Sequence, residues 1–188
     1  MFFPENSSLL TPETIRLGDD VFIGEGAHFS GDISVGNRVL FGPRVMALAG
    51  NHLFAVSGES VRFLHPRGEE NSEPIAVEDE VWCGAGVILL GGARLGMGCV
   101  VGAGSIVTNG IPPYVVAVGN PCRPVRLIFD DDGLADHLTR MGYGQDNALE
   151  IVRRRTHELA ALKPGKLKAI DRTAAYREIR QRGNLPGD

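Results

Sequence analysis

Aliphatic residues recur at every sixth position along most of this chain, and glycine follows most of them. Each six-residue unit also carries a small or branched apolar residue at its fifth position, and the other positions are mostly polar or variable. The first positions of the units are Leu17, Ile23, Phe29, Val35, Phe41, Ala47, Val77, Cys83, Leu89, Leu95, Val101 and Val107. One polar stretch, residues 53–74, interrupts the series, which then resumes in the same form.

This six-residue period predicts a parallel β-helix built from very short strands. An α-helix does not tolerate glycine in most units, since each interior glycine costs roughly 1 kcal/mol relative to alanine. A stack of antiparallel hairpins would need turn signals every eight to twelve residues. Three units instead form one coil of triangular section, with the first and fifth positions facing inward. The cysteines Cys83, Cys99 and Cys122 are then small core residues.

The composition divides the chain into two parts. Residues 1–132 contain 19 of the 25 glycines and carry 8 Arg, no Lys and 16 Asp or Glu, a formal charge of −8, whereas residues 133–188 carry +4. We therefore expect an N-terminal segment over 1–14, a β-helix over 15–128 and a helical extension over 129–188. In the extension, apolar spacing predicts an amphipathic helix over 146–162, with Leu149, Val152, Leu159 and Leu162 on its buried side, and a shorter helix near 171–182. Such helices would cap the open end of the prism.

Charge and cysteine content exclude several classes of protein. The total formal charge of −4 argues against general nucleic-acid binding. Three cysteines without paired spacing predict a reduced, cytoplasmic protein. The first residues, MFFPENSSLLTPET, lack the basic and apolar regions of a signal peptide, and no aliphatic run is long enough to span a bilayer.

The long interruption of the repeat is the first candidate for function, because structureless loops of this length are usually functional or disordered. It begins directly after His52, which falls at an outward position and can accept a proton near pH 7. The alternatives are an exposed histidine without a role, or His65 within the loop as the reactive group. Neither His28 nor His65 forms a metal-ligand spacing with His52, so we expect no metal.

Specific segments of the chain resemble the hexapeptide-repeat acyltransferases, a family with a left-handed parallel β-helix. They are Val81-Trp82-Cys83-Gly84-Ala85-Gly86, Val101-Gly102-Ala103-Gly104-Ser105-Ile106-Val107-Thr108 and the close of the repeat around Gly119-Asn120-Pro121-Cys122-Arg123. Within the family, the chain is most similar to the galactoside, maltose, xenobiotic and polysaccharide O-acetyltransferases. The resemblance covers residues 15–128. It implies a trimeric prism with each active site between two subunits, acetyl-CoA as cosubstrate and His52 as the catalytic base.

The resemblance also implies the other site residues. Glu70 would orient His52 or bind an acceptor hydroxyl, and the acceptor site would further include Asn51, Glu69 and Trp82. A solvated charge pair is the alternative for Glu69 and Glu70. Trp82 could equally stack on adenine or cover a subunit seam.

A smooth column of small residues predicts where the coenzyme would lie. Ala85 and Ala103 occupy identical Gly-Ala-Gly segments one full coil apart, so they stack one above the other. An extended pantetheine arm fits such a column, although plain corner packing also explains it. By resemblance, the coenzyme-binding positions are Ala85, Ala103, Thr108, Asn109, Arg123 and Arg126. Asn109 replaces the lysine of many members, which leaves one phosphate contact without its usual partner.

These expectations define one reading and three alternatives. The first is an O-acetyltransferase acting on a hydroxyl of a sugar or glycan precursor. The others are an N-acetyltransferase of an amino sugar or nucleotide sugar, an antibiotic acetyltransferase, and a non-catalytic trimeric scaffold. A γ-class carbonic anhydrase shares the fold but needs a His-x4-His pair that this sequence lacks.

Overall fold

The computed structural model describes residues 6–54, 56–64, 73–165 and 167–169, in which sixteen short strands wind as successive coils around a common axis. In chain order they are β1 (Ser8–Leu10), β2 (Ile15–Leu17), β3 (Phe22–Ile23), β4 (His28–Ser30), β5 (Ile33–Val35), β6 (Leu40–Phe41), β7 (Met46–Leu48), β8 (Ile75–Val77), β9 (Trp82–Cys83), β10 (Ile88–Leu90), β11 (Arg94–Leu95), β12 (Val100–Val101), β13 (Ile106–Val107), β14 (Gly110–Ile111), β15 (Val115–Val118) and β16 (Arg123–Leu127). Short 3₁₀ turns span Pro12–Thr14 and Val61–Phe63.

The strands form the three faces of a triangular prism. Sheet I contains β1, β4, β7, β10 and β13, sheet II contains β2, β5, β8, β11 and β14, and sheet III contains β3, β6, β9, β12, β15 and β16. All neighbours pair in parallel except β15 and β16, which are antiparallel. Each coil runs from sheet I through sheet II to sheet III, so the prism has a I–II corner, a II–III corner and a III–I corner. The predicted parallel β-helix is confirmed.

Strand register places the loop as an insertion within one coil. Adjacent coils pair at a spacing of three six-residue units, as in His28 with Met46 and Ile88 with Ile106. Across the interruption the pairing continues in the same column, with Met46 opposite Ile88. The extra chain between those two partners leaves the prism at the I–II corner, between β7 and β8. The coils on either side therefore remain stacked as if the loop were absent.

The core is a single apolar column made by the two inward positions of each unit. The first and fifth positions are buried from Val21 to Ala47 and again from Val77 to Ile111. Burial raises the pKa of the Cys83 thiol well above its ordinary value, so it stays neutral and unreactive. Ser105 is the polar exception, and its hydroxyl donates to the Gly102 carbonyl (2.7 Å) and accepts from Gly119 N (3.0 Å).

Glycine at the III–I corner is required by the close stacking of the coils. A Cβ on Gly84 would lie 2.7 Å from the backbone nitrogen of Ala103 in the next coil. Two residues on, Gly86 and Gly104 adopt positive φ angles of 65° and 70°, which glycine reaches without strain. The glycine excess of the N-terminal part of the chain is thus concentrated where the backbone turns.

The three outer faces differ in polarity. Sheet I presents half-buried aliphatic side chains, among them Met46, Ile88 and Ile106, which lie in one register column. The corresponding column of sheet II is Arg16, Ser34, Ala76, Arg94 and Gly110. Sheet III carries a stripe of exposed apolar residues, Phe22, Leu40 and Trp82. Sheet I and part of sheet III are therefore the faces with apolar surface left to cover.

Two helices follow the prism, α1 (Asp131–Arg140) and α2 (Gln145–Leu162). Asp130 caps α1 by accepting a hydrogen bond from Gly133 N at 2.8 Å. The pair packs on Tyr114 and Met97 at the II–III corner, and Leu159 packs against the main core. The helical pair therefore lies along the II–III corner, where Arg154 of α2 donates to Glu78 Oε2 at 2.6 Å, and the capping of the open end stays a prediction.

The buried side of α2 differs in detail from the predicted stripe. Leu149 and Leu162 are 39% exposed, whereas Ala148 and Arg155 are buried. Arg155 replaces an apolar residue in the stripe, because its guanidinium donates to the Phe129 carbonyl (2.8 Å) and to Asp131 Oδ1 (2.5 Å). The helix predicted near 171–182 lies outside the described residues.

We expect the helical pair to lose stability as the pH falls below 6.5, the ordinary pKa of histidine. His137 stacks on Phe129 (4.7 Å between ring centroids) and lies edge-on to Tyr114 (5.5 Å), and burial lowers its pKa. Because the unfolded chain binds the proton more tightly, protonation favours opening. Hydrogen exchange of α1 and α2 at pH 5.5 and 7.5 measures this. His137→Gln should reduce the difference, whereas His157→Gln at an exposed position should leave it unchanged. An unchanged difference in His137→Gln contradicts the assignment.

Candidate active site

A cavity of about 540 Å³ opens at the I–II corner, where the inserted loop leaves the prism. His52, Asn51 and Glu73 line it from the two ends of the loop, and Leu90 and Thr108 line it from the coils beyond. Apolar and polar groups share the lining, as in pockets that bind small molecules. The break in the repeat therefore coincides with a concave surface that holds the candidate base.

His52 is positioned by the end of strand β7. The chain leaves the strand after Leu48, buries Ala49 and turns at Gly50, so that Asn51 and His52 emerge at the mouth of the cavity. The His52 backbone nitrogen donates to Asn51 Oδ1 at 2.8 Å, which fixes the start of the turn. The imidazole is exposed and has no hydrogen-bond partner among the described residues, so both of its nitrogens face the cavity or solvent.

Glu73 is the acidic residue that the structure adds to this site. Its backbone nitrogen donates to the Ala49 carbonyl (3.2 Å), and its carbonyl accepts from Gly92 N (3.1 Å), so the returning end of the loop is pinned beside the departing end. A Cβ on Gly92 would lie 2.9 Å from Glu73 Oε2. The sequence feature that could have pointed to Glu73 is its place directly before Pro74, where the strands restart. Glu69, Glu70 and His65 lie outside the described residues.

Thr108 and Asn109 lie two coils above His52 on the same corner. Both follow strand β13, and Asn109 Nδ2 donates to Thr108 Oγ1 at 3.1 Å. Thr108 lines the cavity, whereas Asn109 is exposed beside it. One of the predicted coenzyme positions therefore shares a pocket with the predicted base in a single chain.

Ala85 and Ala103 stack on the III–I corner, as their spacing predicts. Both are exposed, and Gly104 N donates to the Ala85 carbonyl at 2.9 Å, while Gly86 N donates to the Pro43 carbonyl at 2.9 Å. Those two carbonyls are thus already paired within the prism. An extended ligand on this column would use the other backbone groups and the shallow surface that the alanines leave.

Arg123 and Arg126 lie on β16, at the end of sheet III. In this antiparallel pair Arg123 lies opposite Val118 and Arg126 opposite Val116, so both arginines share the outer face of the sheet. Both are exposed, and the Arg123 guanidinium donates to the Cys122 carbonyl at 2.8 Å. Arg123 is the nearer of the two to the III–I corner. Trp82, 52% exposed, lies on the same outer face.

The predicted site residues therefore fall on two corners and one face of the chain. His52, Asn51 and Thr108 meet at the I–II corner, whereas Ala85 and Ala103 stack at the III–I corner. The width of sheet I, about three residues or roughly 10 Å, separates the two groups. A ligand that contacts both groups within one chain would have to cross the outer face of sheet I.

The described part of the chain contains no cluster of three or more His, Cys, Asp or Glu side chains suited to a metal ion. Within the same residues, neither helix has the length and hydropathy needed to cross a bilayer.

Comparison with known proteins identifies several acetyltransferases. The chain is 46% identical over 101 residues to a galactoside O-acetyltransferase of Lactococcus lactis, covering 54% of this chain and 46% of that protein. It is 39% identical over 131 residues to the galactoside O-acetyltransferase of Escherichia coli, covering 68% and 64% of the two chains. The chain thus spans between about half and two thirds of these relatives. No family model matches.

A solved structure supports the same conclusion about the fold. A hexapeptide-repeat acetyltransferase from Vibrio cholerae, determined with acetyl coenzyme A, superposes with a TM-score of 0.53 at 29% identity. The superposition covers 66% of this chain and 69% of that one.

Proposed function

We propose that this chain, which belongs to the hexapeptide-repeat acyltransferase family with the left-handed β-helix fold, is an acetyl-CoA-dependent O-acetyltransferase acting on a hydroxyl of a sugar or glycan precursor. The observation that carries the proposal is the cavity that joins His52, at the break in the coils, to Thr108 two coils above. The relatives named galactoside O-acetyltransferase support the choice of a hydroxyl acceptor.

In the proposed reaction His52 acts as general base. An imidazole nitrogen takes the proton of the acceptor hydroxyl as its oxygen attacks the thioester carbon of acetyl-CoA. The carbonyl becomes an oxyanion, which backbone N–H groups near the groove would stabilise. The carbon–sulfur bond then breaks, the acetyl ester leaves, and His52 returns the proton to the departing thiolate. The remaining rate enhancement would come mostly from proximity, because both substrates are held beside one imidazole.

The proposed active site lies between two subunits of a trimer. If sheet I faces the three-fold axis, its two edges adjoin the two neighbours, so the I–II corner of one copy meets the III–I corner of the next. His52 and Thr108 of one subunit then face Ala85 and Ala103 of another. The aliphatic side chains of Met46, Ile88 and Ile106 on the outer side of sheet I support this orientation, because apolar side chains gain by burial, whereas the outer side of sheet II carries Arg16 and Arg94.

The coenzyme would lie along the III–I corner. The pantetheine arm follows the Ala85 and Ala103 rungs, and the phosphates end near Arg123 and Arg126, whose guanidinium groups suit phosphate oxygens. Thr108 and Asn109 approach from the neighbouring subunit. Trp82 remains assigned to the acceptor, with adenine stacking or subunit contact as the alternatives.

Glu73 joins Glu69 and Glu70 as a candidate carboxylate for orienting His52 or binding an acceptor hydroxyl. Its position on the cavity wall and its two backbone hydrogen bonds support this role. The free, buried state of Cys83, Cys99 and Cys122 agrees with a reducing compartment, and we propose a cytoplasmic location.

Two other classes of function are distinguished by simple measurements. An amine acceptor is already nucleophilic, so a small effect of removing His52 would favour N-acetylation of an amino sugar or an antibiotic. A scaffold would bind no acetyl-CoA. Thiol release from acetyl-CoA, measured against sugars, nucleotide sugars and antibiotics, tests the reaction and identifies the acceptor class.

We expect Ala103→Arg to weaken acetyl-CoA binding by at least about tenfold, equivalent to 1.4 kcal/mol. The new side chain would fill the smooth corner, whereas the exposed backbone position keeps the fold intact. Isothermal calorimetry on the oligomer measures the change, with Ala160→Arg on the exposed side of α2 as the matched control. Equal affinity for acetyl-CoA in Ala103→Arg and wild type would contradict the proposal that the coenzyme binds along this corner.

A further inference from the structure

Arg44 lies at the III–I corner in a left-handed backbone conformation. The residues stacked above and below it in the same conformation are glycines. The φ angle of Arg44 is +58°, and the stacked positions are Gly26 (+71°), Gly86 (+65°) and Gly104 (+70°). The left-handed region is unfavourable for a residue with a Cβ. Turns at the II–III corner also place residues with a Cβ in this region, among them Arg38 (+54°) and Glu80 (+63°). In the four stacked turns of the III–I corner, however, Arg44 alone carries a side chain, which makes that side chain a candidate for a functional role.

The side chain of Arg44 lies over the coil beneath it. A Cβ on Gly26 would lie 3.2 Å from Arg44 Cγ, so the missing side chain of Gly26 leaves the space that the arginine stem occupies. The Arg44 backbone nitrogen donates to the Glu25 carbonyl at 2.8 Å, which fixes the turn. Arg44 is exposed and, among the described residues, forms no ion pair, whereas Arg16 and Arg38 pair with Asp32 and Glu80.

Arg44 lies at the end of the proposed coenzyme groove that is remote from Arg123. Three coil-to-coil spacings, about 14 Å along the prism axis, separate Arg44 from the turn at Asn120. Gly86 and Gly104 lie on the two coils between them. A coenzyme whose phosphates contact Arg123 would therefore direct its acyl end towards Arg44. This step rests on the proposed function.

Arg44 and His52 also flank the same strand. Arg44 precedes β7 by two residues and His52 follows it by four, so they lie at one level of the prism on its III–I and I–II corners. In the proposed trimer those corners belong to adjacent subunits and face each other. The acceptor hydroxyl beside His52 of one copy would then lie next to Arg44 of its neighbour.

We propose that Arg44 binds an anionic group, a carboxylate or phosphate, on the acceptor, and so makes acidic sugars the preferred substrates. The guanidinium fork matches both anions in two-point hydrogen bonds. No described carboxylate forms an ion pair with Arg44, which leaves its charge available for a ligand. Arg44 touches the substrate without taking part in the proton transfer, so it determines specificity.

The test compares wild type with Arg44→Asn, because asparagine tolerates positive φ and keeps the corner folded. Acceptors are supplied as matched pairs, glucose with glucuronate and mannose with mannose 6-phosphate, with acetyl-CoA as donor. We expect wild type to favour the acidic member of at least one pair by at least about tenfold in kcat/KM, and Arg44→Asn to lose the preference. Arg44→Lys should keep part of it. Arg16→Gln, which removes a positive charge from sheet II, should keep it all.

Direct binding separates this inference from the proposed reaction. Calorimetric titration of the acidic sugars without coenzyme should show binding to wild type that Arg44→Asn loses, even if no acetyl transfer is detected. Equal preference, or equal binding, in the two proteins overturns the role of Arg44. Succinyl-CoA tested against acetyl-CoA with a neutral sugar checks the donor. A preference for succinyl-CoA that Arg44→Asn loses would place the anion on the acyl group and overturn the assignment to the acceptor.

Discussion

Replacing His52 with alanine should lower kcat for acetyl transfer by roughly 10²- to 10⁴-fold, the usual contribution of a positioned general base. The hydroxyl proton would then have no acceptor as the carbon–oxygen bond forms, and only proximity and oxyanion stabilisation would remain. The KM for acetyl-CoA should change little, because the coenzyme is proposed to lie along the other corner. Steady-state kinetics with a saturating acceptor measures both quantities.

The structure makes this substitution clean to interpret. The His52 ring is exposed and has no hydrogen-bond partner among the described residues, so its removal should leave the thermal midpoint and the oligomer unchanged. His157→Ala, at an exposed position of α2, is the matched control and should keep full activity. A folded oligomer of His52→Ala with wild-type turnover would refute the general-base mechanism. A loss of only a few-fold would point to an amine acceptor.

The fold could be predicted from the sequence because a single geometric rule governs most of the prism. A stacked coil places the same positions inward at every turn, so the six-residue period fixes which residues are buried. Val21, Ile33 and Leu95 could be placed in the core from spacing alone. The same rule predicts that Ala85 and Ala103 stack, and this prediction does not depend on the loop or the helices.

The site could be predicted only in part, because it depends on where an insertion begins and ends. His52 was identifiable as the last residue before the loop. Glu73 was marked only by its place directly before Pro74, because its position at the site comes from hydrogen bonds between the two ends of the loop. Glu73 N donates to the Ala49 carbonyl, and Gly92 N donates to the Glu73 carbonyl. Spacing puts Thr108 one unit beyond Ala103, but it could not show that Thr108 shares a cavity with His52 and lies one sheet width from Ala103. That separation is what directs attention to a site shared by two subunits.

The helical extension shows the limit of apolar periodicity. A stripe read from leucines placed Leu149 on the buried side of α2, yet Arg155 is the residue that is 1% exposed. Its burial is possible because the Phe129 carbonyl and Asp131 lie within reach on the preceding segment. A hydropathy pattern cannot register a charge that is compensated by residues more than twenty positions away.

Arg155→Ala should lower the free energy of unfolding of the helical pair by about 2–4 kcal/mol, one of the largest stability effects in the chain. The change removes a fully buried side chain, leaves the Phe129 carbonyl without its donor, and opens a cavity between α1 and α2. Breaking an ion pair in which both partners are buried usually costs about 3–5 kcal/mol. We expect a smaller loss here because the Asp131 side chain is 61% exposed and stays hydrated. Hydrogen exchange of α1 and α2 measures the loss.

Variants at neighbouring positions resolve the packing and charge contributions of Arg155. Arg155→Met keeps most of the apolar volume and should cost less than Arg155→Ala, since apolar residues of similar size often replace buried ion pairs at little cost. Asp131→Asn should cost less than either change at Arg155, because Arg155 keeps its hydrogen bond to the Phe129 carbonyl. Arg153→Ala, whose side chain is 75% exposed on the same helix, should stay within about 0.5 kcal/mol of wild type. Amides of β12 and β13 should exchange as before in all four variants, because the stacked coils do not depend on the Arg155 contacts; equal protection of α1 and α2 in Arg155→Ala and wild type would contradict the prediction.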